Sequence, residues 1–389
     1  MFLRFLLIFI AILLLPDLYI YAFYVARATQ HTALRIAYWL PSLVLLVCLL
    51  VLLLPHGING MANHPTAFSR IVSLIFLLTI PKLVFVVSSL VVSLIAFLLR
   101  LHCSLFVVHC SLAAVAFLAI LYGLTLGVTH FQVKEVAYSS ADLPPSFDGL
   151  RAVQISDLHA AGWHGRERAL CRLIDRINSL QPDVIFFTGD LVNQQSSELD
   201  GLEDLLRLLH APHGIYSILG NHDYGTYYAW PSRQAERDNL QQLIRRERAM
   251  GWKLLLNEHD LLDIGGDTIA IIGVENDGEP PFSQMADLPR AARGTEGYFR
   301  ILLTHNPTHW RREVVPTTDI NLSLSGHTHA MQVKLFGWSP AKWKYPEWGG
   351  LYTQGDQTLY VNIGLGCAGF PFRLGARPEI TLLTLHAGQ

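Results

Sequence analysis

Charge is scarce in this sequence. Only 15% of its 389 residues are Asp, Glu, Lys or Arg, and 51% are hydrophobic. Soluble domains carry roughly a quarter charged residues, so the shortage argues against a chain that meets water on all sides. Positive charge is not in excess either. The formal net charge is −2, whereas a nucleic-acid-binding face needs a basic surplus. Cysteine is sparse: Cys48, Cys103, Cys110, Cys171 and Cys367 form no CxxC and no paired spacing. That excludes a zinc ribbon and a disulfide framework. There is no internal repeat, and no low-complexity tract beyond the apolar runs.

The missing charge is missing from one end. The first 130 residues hold Arg4, Asp17, Arg27, Arg35, Arg70, Lys82 and Arg100, a net of +5, and the remainder carries −7. Within that first part, apolar stretches at about 5–26, 34–54, 71–99 and 105–128 approach or exceed the roughly 20 residues needed to cross a bilayer. They predict an all-α transmembrane region of about four helices over 1–130, and so a multi-pass membrane protein. Asp17 and Lys82 lie inside apolar runs, where an ionisable residue is costly unless paired or near water. Either they partner each other or each sits at the edge of a tilted or re-entrant helix. Arg4, an apolar run and Ala26-Arg27-Ala28 also have the outline of a signal peptide, but the length and Asp17 favour a span. Arg4, Arg70 and Lys134 fall on one side of four spans and Arg27, Arg35 and Arg100 on the other, a tie under the positive-inside rule. An even number of spans puts both termini on one face, and the free amino terminus tips that face toward the cytoplasm.

After a linker and first strand at 131–150, containing Pro144-Pro145, the pattern becomes α/β over 151–389. VQIS (153–156) is a short apolar strand. Leu170, Leu173, Ile174 and Ile177 recur at helical spacing in 166–180. DVIFFTGD is a buried strand, a polar helix follows at about 198–210, IYSILGNHD is a strand and turn, and 232–250 is a charged helix with a solvated face. Strands are predicted at 268–274, 299–304, 319–325, 332–336, 358–363 and 379–385. Strands alternating with helices, then mostly strands, describe sheets with helices packed outside.

The chemistry stands at the strand ends. ISDLH supplies Asp157 and His159, TGD supplies Asp190, LGNHD supplies Asn221, His222 and Asp223, LLTHNP supplies His305, and SGHTH supplies His327 and His329. Ligands of open α/β sheets bind beyond the carboxyl ends of strands. Imidazole with carboxylate and no thiolate suits a hard-to-borderline divalent cation, manganese first, with iron or zinc as alternatives. Seven ligands are too many for one such ion, so two ions sharing a carboxylate fit better.

These blocks, in this order, resemble the calcineurin-like metallophosphoesterases, whose pattern is D-x-H, GD, GNH[DE], an isolated His and GHxH. GHTHAMQ and GLGCAGFPFRLGARPEI further resemble the bacterial, membrane-associated YkuE-type branch. The resemblance covers roughly 135–386. It implies a four-layer α/β/β/α sandwich behind the transmembrane helices, in a bacterial cell membrane. It implies that Asp157, His159 and His329 hold one metal, that Asn221, His305 and His327 hold another, and that Asp190 bridges the two. His222 is then the catalytic residue near the leaving group. Two cations clamp a phosphate and activate water, and a metal-bound hydroxide attacks phosphorus. The substrate is a phosphomonoester, phosphodiester or pyrophosphate, either a small molecule or a lipid phosphate. One departure stands out. The protein-phosphatase branch has GDxxD, whose last Asp orients the catalytic His, but this chain has GDLVN, with Asn193. Asp223 is a candidate substitute for that Asp.

FGWSPAKWKYPEWGGLY (336–352) is rich in Trp and Tyr, with Lys342 and Lys344. It reads either as a loop at a membrane interface, where such aromatics concentrate, or as a packed cover for the sheet edge. Arg373 and Arg377 are candidates for a substrate phosphate or for an ion pair with Glu379. The rival function is a non-catalytic metal- or phosphate-sensing membrane protein. A transporter is disfavoured, because four spans with few polar residues make a poor pathway.

Overall fold

A computed structural model of the chain describes residues 2–53, 65–100, 106–280 and 282–388. Cys103 and the ends of two predicted spans, residues 54 and 105, lie outside them. The chain divides into two compact units: Met1–Leu126 with Gly369–Phe372, and Gly127–Ala368 with Arg373–Gln389.

The first unit is helical. It comprises α1 (Phe2–Ile20), continued by a π-turn at Tyr21–Val25 and a last turn at Ala26–Ala28, then α2 (Thr32–Leu53), α3 (Pro65–Leu98) and α4 (Phe106–Leu124). All four are long and apolar enough to cross a membrane. They expose many large apolar side chains, as at Leu34, Val87, Phe97 and Val107, the composition a hydrocarbon solvent requires. The two intramembrane charges partner each other. Lys82 Nζ lies 2.7 Å from Asp17 Oδ1 and 2.7 Å from Ser42 Oγ, and Tyr38 donates to the same carboxylate at 3.1 Å. From Gly369–Phe372, the ring of Phe370 packs 4.8 Å from that of Phe76.

The second unit carries two six-stranded sheets. The strands are β1 (Gln132–Ser140), β2 (Arg151–Ile155), β3 (Val184–Phe187), β4 (Ile215–Ser217), β5 (Lys253–Leu254), β6 (Glu258–Ile264), β7 (Asp267–Gly273), β8 (Phe299–Leu303), β9 (Leu322–Ser325), β10 (Gly350–Gln354), β11 (Gln357–Val361) and β12 (Glu379–Ala387). One sheet runs β1-β12-β2-β3-β4-β5 and the other β10-β11-β9-β8-β7-β6. Strand side chains alternate between faces, and β3 uses both. Val184 and Phe186 join the core between the sheets with Ile269, Ile271, Ile301 and Leu303. Ile185 and Phe187 face helices α5 (Glu167–Asn178) and α6 (Arg233–Ala249), meeting Leu170, Leu173, Ile174, Ile177 and Leu243. On the far side, Ile272 and Leu302 pack against Leu288, Trp310 and Val314 from short helical segments. This is the four-layer α/β/β/α sandwich.

Two predicted elements differ. Residues 332–336 form only isolated bridges at Val333 and Leu335, because Ala330, Met331 and Gln332 all take left-handed backbone. The helix expected at 198–210 shrinks to a 3-10 turn, Ser196–Leu199, and a single turn, Glu203–Leu206. The intervening Gly201 is left-handed at φ 78°. Strands β5, β6 and β10 escape the sequence pattern, since β6 reads EHDLLDI and its polar, half-exposed face hides the alternation. The charged helix is α6, solvated on most of its surface, with Asn239, Leu243, Ile244 and Glu247 turned inward.

Candidate metal centre

Five strands deliver the candidate residues to one edge. Asp157 and His159 follow β2, Asp190 follows β3, Asn221 and His222 follow β4, His305 follows β8, and His327 and His329 follow β9. Asp157, His159, Asp190, His327 and His329 have φ of 53°, 51°, 59°, 73° and 48°. Non-glycine residues rarely enter this left-handed region, and they cluster at functional sites when they do. Hydrogen bonds across the loops hold the backbone there. Asp157 N donates to Gly189 O (2.8 Å), His159 N to Asp190 O (3.2 Å) and His327 N to Asp157 Oδ2 (3.0 Å). Two glycines permit the approach: a Cβ on Gly220 would overlap Asp190 Oδ1, and one on Gly326 would overlap Asp157 Oδ2.

The ligand atoms form two clusters. Asp157, His159 and His329 make one, Asp190, His305 and His327 the other. In the first, the Nε2 atoms of His159 and His329 face each other at 3.0 Å, and His329 Nε2 lies 3.1 Å from Asp157 Oδ1. In the second, His305 Nε2 lies 3.2 Å from Asp190 Oδ2 and 3.3 Å from His327 Nδ1. The same Asp190 oxygen is 3.8 Å from His159 Nε2, so one carboxylate oxygen borders both clusters. Asn221 Oδ1 is buried with no hydrogen-bond partner, and so is His159 Nδ1. An unpaired buried acceptor is costly. A donor set of carboxylates, imidazoles and an amide oxygen, with one acceptor left open, fits a pair of divalent cations.

Second contacts orient the rings, as metal-binding imidazoles would require. His305 Nδ1 donates to Thr188 O at 2.7 Å, which turns Nε2 toward Asp190 and His327. Burial, then the neighbouring His222 and His329, pull His159 down to about 3. Burial and then His305 pull His327 down to about 3. Burial opposes the ionised forms of Asp157 and Asp190, but His329 and His305 respectively override it and hold both below the ordinary carboxylate range.

His222 stands at the cluster edge, its ring 4.9 Å from that of His159. Its Nδ1 donates to the main-chain oxygen of Asn193 at 2.8 Å. The GDLVN departure therefore costs this ring nothing in orientation, because a backbone carbonyl supplies the acceptor. Asp223 is no substitute: its carboxylate turns inward and accepts from the backbone N–H groups of Asp190 (2.8 Å), Gly220 (2.8 Å) and Val192 (3.0 Å). The expectation for the arginines is also corrected. Arg373 is fully buried and donates to the carbonyls of Gly366, Ala376 and Ile363, with Nη2 3.1 Å from His329 Nδ1. Arg377 donates to the carbonyls of His130 and Phe131, and Glu379 pairs with Lys134.

Two phenols were not singled out for the site by the sequence. Tyr345 Oη lies 2.9 Å from His327 Nε2, and Asn221 Nδ2 donates to Tyr227 Oη at 3.0 Å. A phenol four residues past GNHD was the available signal for Tyr227. A further cluster, Asp277, His309 and Glu313, is closed upon itself. Arg312 pairs with Asp277, and His309 bonds to Glu313 (3.0 Å) and Thr304 (2.9 Å).

Comparison with known proteins agrees with this architecture. Residues 150–331 match the calcineurin-like phosphoesterase family, and residues 3–128 match the probable calcineurin-like phosphoesterase transmembrane domain. The uncharacterized metallophosphoesterase YkuE of Bacillus subtilis is 34% identical over 268 residues, covering 66% of this chain and 86% of that protein. The transmembrane protein with metallophosphoesterase domain of Danio rerio is 34% identical, covering 68% of this chain and 59% of that protein. UDP-2,3-diacylglucosamine pyrophosphatase LpxG of Chlamydia trachomatis is 31% identical, covering 62% and 86%. The chain is a membrane-associated member of the calcineurin-like phosphoesterase family.

Proposed function

We propose that this protein hydrolyses a phosphoric ester or anhydride bond of a membrane lipid, a lipid-linked pyrophosphate before a lipid monoester or diester. The observation that carries the catalytic part is the Asp190 oxygen shared between two ligand clusters, 3.2 Å from His305 and 3.8 Å from His159. Asp157, His159 and His329 hold one divalent cation and Asn221, His305 and His327 the other, with Asp190 between them; manganese is the preferred metal. When bound, the cations supply Lewis acidity to the phosphoryl oxygens and activate water. His222, fixed through Nδ1 by Asn193 O, presents Nε2 to the leaving oxygen and donates a proton there, a role worth roughly 10²–10⁴-fold in rate. Lipid specificity is supported by the four apolar helices and by likeness to a relative named as a pyrophosphatase of a diacylated nucleotide sugar. On an even number of spans we assign the catalytic unit to the face of the amino terminus, and that face to the cytoplasm.

The test uses the full chain in detergent, stripped with chelator and reloaded with Mn²⁺. It should hydrolyse bis-(p-nitrophenyl) phosphate only when reloaded, and lose that activity in Asn221→Ala and His222→Ala. Mn²⁺ binding without turnover on that substrate or on any lipid or nucleotide phosphate would replace this reading with the sensor. Far better turnover of soluble nucleotides than of lipid phosphates would remove the lipid substrate alone.

A further inference from the structure

The loop after the second cluster has two faces of opposite character. Leu335 and Trp338 pair through Leu335 N to Trp338 O (2.9 Å) and Trp338 N to Leu335 O (3.0 Å), leaving Phe336-Gly337 as a two-residue turn. Both turn residues are left-handed, at φ 51° and 80°. Phenylalanine is a poor residue for that backbone, and here it stands fully exposed to solvent. Trp343 is 80% exposed, and Leu335, Trp338 and Met331 also face outward. A water-facing turn gains nothing from this set, since exposed aromatics in contiguous array mark an interaction surface.

The charges say which surface. From Met331 to Pro346 there is no Asp or Glu, and Lys334, Lys342 and Lys344 flank the aromatics. Lys344 reaches out to Glu279 at 3.0 Å, and Lys334 lies over the Trp348 ring. Trp and Phe with lysines is the composition that seats in the headgroup boundary of a bilayer, and lysines favour anionic lipid there. A bilayer is also the one partner this chain is bound to meet, since only residues 125–131 separate α4 from β1.

The inner face of the same loop belongs to the metal centre. Tyr345 is buried with its hydroxyl 2.9 Å from His327 Nε2, and Thr328 donates to Trp348 O at 2.6 Å. We propose that residues 334–344 are an interfacial anchor that seats Phe336, Trp338 and Trp343 in the headgroup region of an anionic bilayer. A lipid phosphate lifted from that plane enters the site past Tyr345; this last clause rests on the lipid-substrate reading, and the anchor does not.

Two measurements separate them. Benzoylphenylalanine is placed at position 336 or 343 of the full chain in nanodiscs of phosphatidylcholine and phosphatidylglycerol, with position 97 on α3 as the membrane reference and position 298, exposed on the catalytic unit, as the water reference. Irradiation should give lipid adducts at 336, 343 and 97 and none at 298. Adducts at 97 without adducts at 336 and 343, or equal adducts at 298, overturn the anchor. In the second measurement, Phe336→Asp with Trp343→Asp should keep Mn²⁺-dependent turnover of bis-(p-nitrophenyl) phosphate within about twofold and reduce turnover of a lipid pyrophosphate in the same nanodiscs by roughly tenfold or more, from the lost aromatic burial. An equal loss on both substrates counts against the anchor. Adducts without any lipid hydrolysis by the parent protein keep the anchor and remove the lipid substrate.

Discussion

In the metal-free protein one proton stands in the way of the cations, and it sits on His305. Burial favours the neutral ring, but the carboxylates of Asp190 and Asp157 and the carbonyl of Thr188 outweigh it and push His305 up to about 9. His159 and His327, at about 3, are neutral near pH 7.5, and Asp157 and Asp190 are already ionised. A ligating nitrogen must be free of its proton. The interval from about pH 7.5 to a value of about 9 is worth about 2 kcal/mol at 1.36 kcal/mol per unit, so Mn²⁺ should bind with an apparent affinity that rises nearly tenfold per pH unit across this interval and flattens above it. Isothermal calorimetry on chelated protein, run in two buffers of different ionisation enthalpy, should count close to one proton released near pH 7.5. His305→Gln should bind more weakly and release none. The same proton stabilises the metal-free fold, because the folded value lies above the free histidine value of about 6.5. That stabilisation is fully present below about pH 6.5 and is lost as pH rises through about 9. A wild-type affinity flat over this range, or an unchanged slope in His305→Gln, would refute the reasoning.

Other predictions follow from single contacts. Because Asn193 holds His222 through its backbone, Asn193→Ala should leave kcat on the aryl diester within a few-fold, whereas His222→Ala should lower it by roughly 10²–10⁴; a comparable loss in both, measured by steady-state kinetics, returns the orienting role to the Asn193 side chain. Gly220→Ala places a methyl on Asp190 Oδ1, so bound Mn²⁺ measured by elemental analysis should fall below stoichiometric while far-ultraviolet circular dichroism is retained. Lys82→Met leaves Asp17 buried and unpaired, a loss of about 3–5 kcal/mol, and its melting temperature in detergent should drop further than that of the double variant Asp17→Leu with Lys82→Met.

The candidate residues were legible because each follows an apolar strand, and an apolar strand is a local signal. Asp157, Asp190, Asn221, His305, His327 and His329 all lie where the strand pattern ends. What the sequence concealed depends on partners distant along the chain. Asp223 adjoins His222 in sequence, yet its carboxylate faces two N–H groups of the opposite loop and one of its own. Arg373 has the chemistry of a phosphate ligand, but carbonyls on three sides consume its donors. The membrane charges left two readings open, and only the packing of α1 against α3 selects the Asp17–Lys82 pair. The aromatic loop was ambiguous because its residues part ways: Tyr345 is packed inward and Trp343 is exposed.

The pair His327 and His329 shows why the backbone must be strained here. On a regular strand, residues two apart point to the same face, and both imidazoles would meet one cation. Instead both residues are left-handed, at 73° and 48°, and the rings part company. His327 turns to His305 at 3.3 Å, and His329 turns to His159 at 3.0 Å. Each left-handed non-glycine residue costs roughly 1–3 kcal/mol, and five residues at this edge bear that cost. The bonds from His327 N to Asp157 and from Gly326 N to His305 O (2.9 Å) hold the turn closed. Four residues, Gly326 to His329, therefore serve both clusters, and Asp190 between them can be shared only because this turn divides the two histidines.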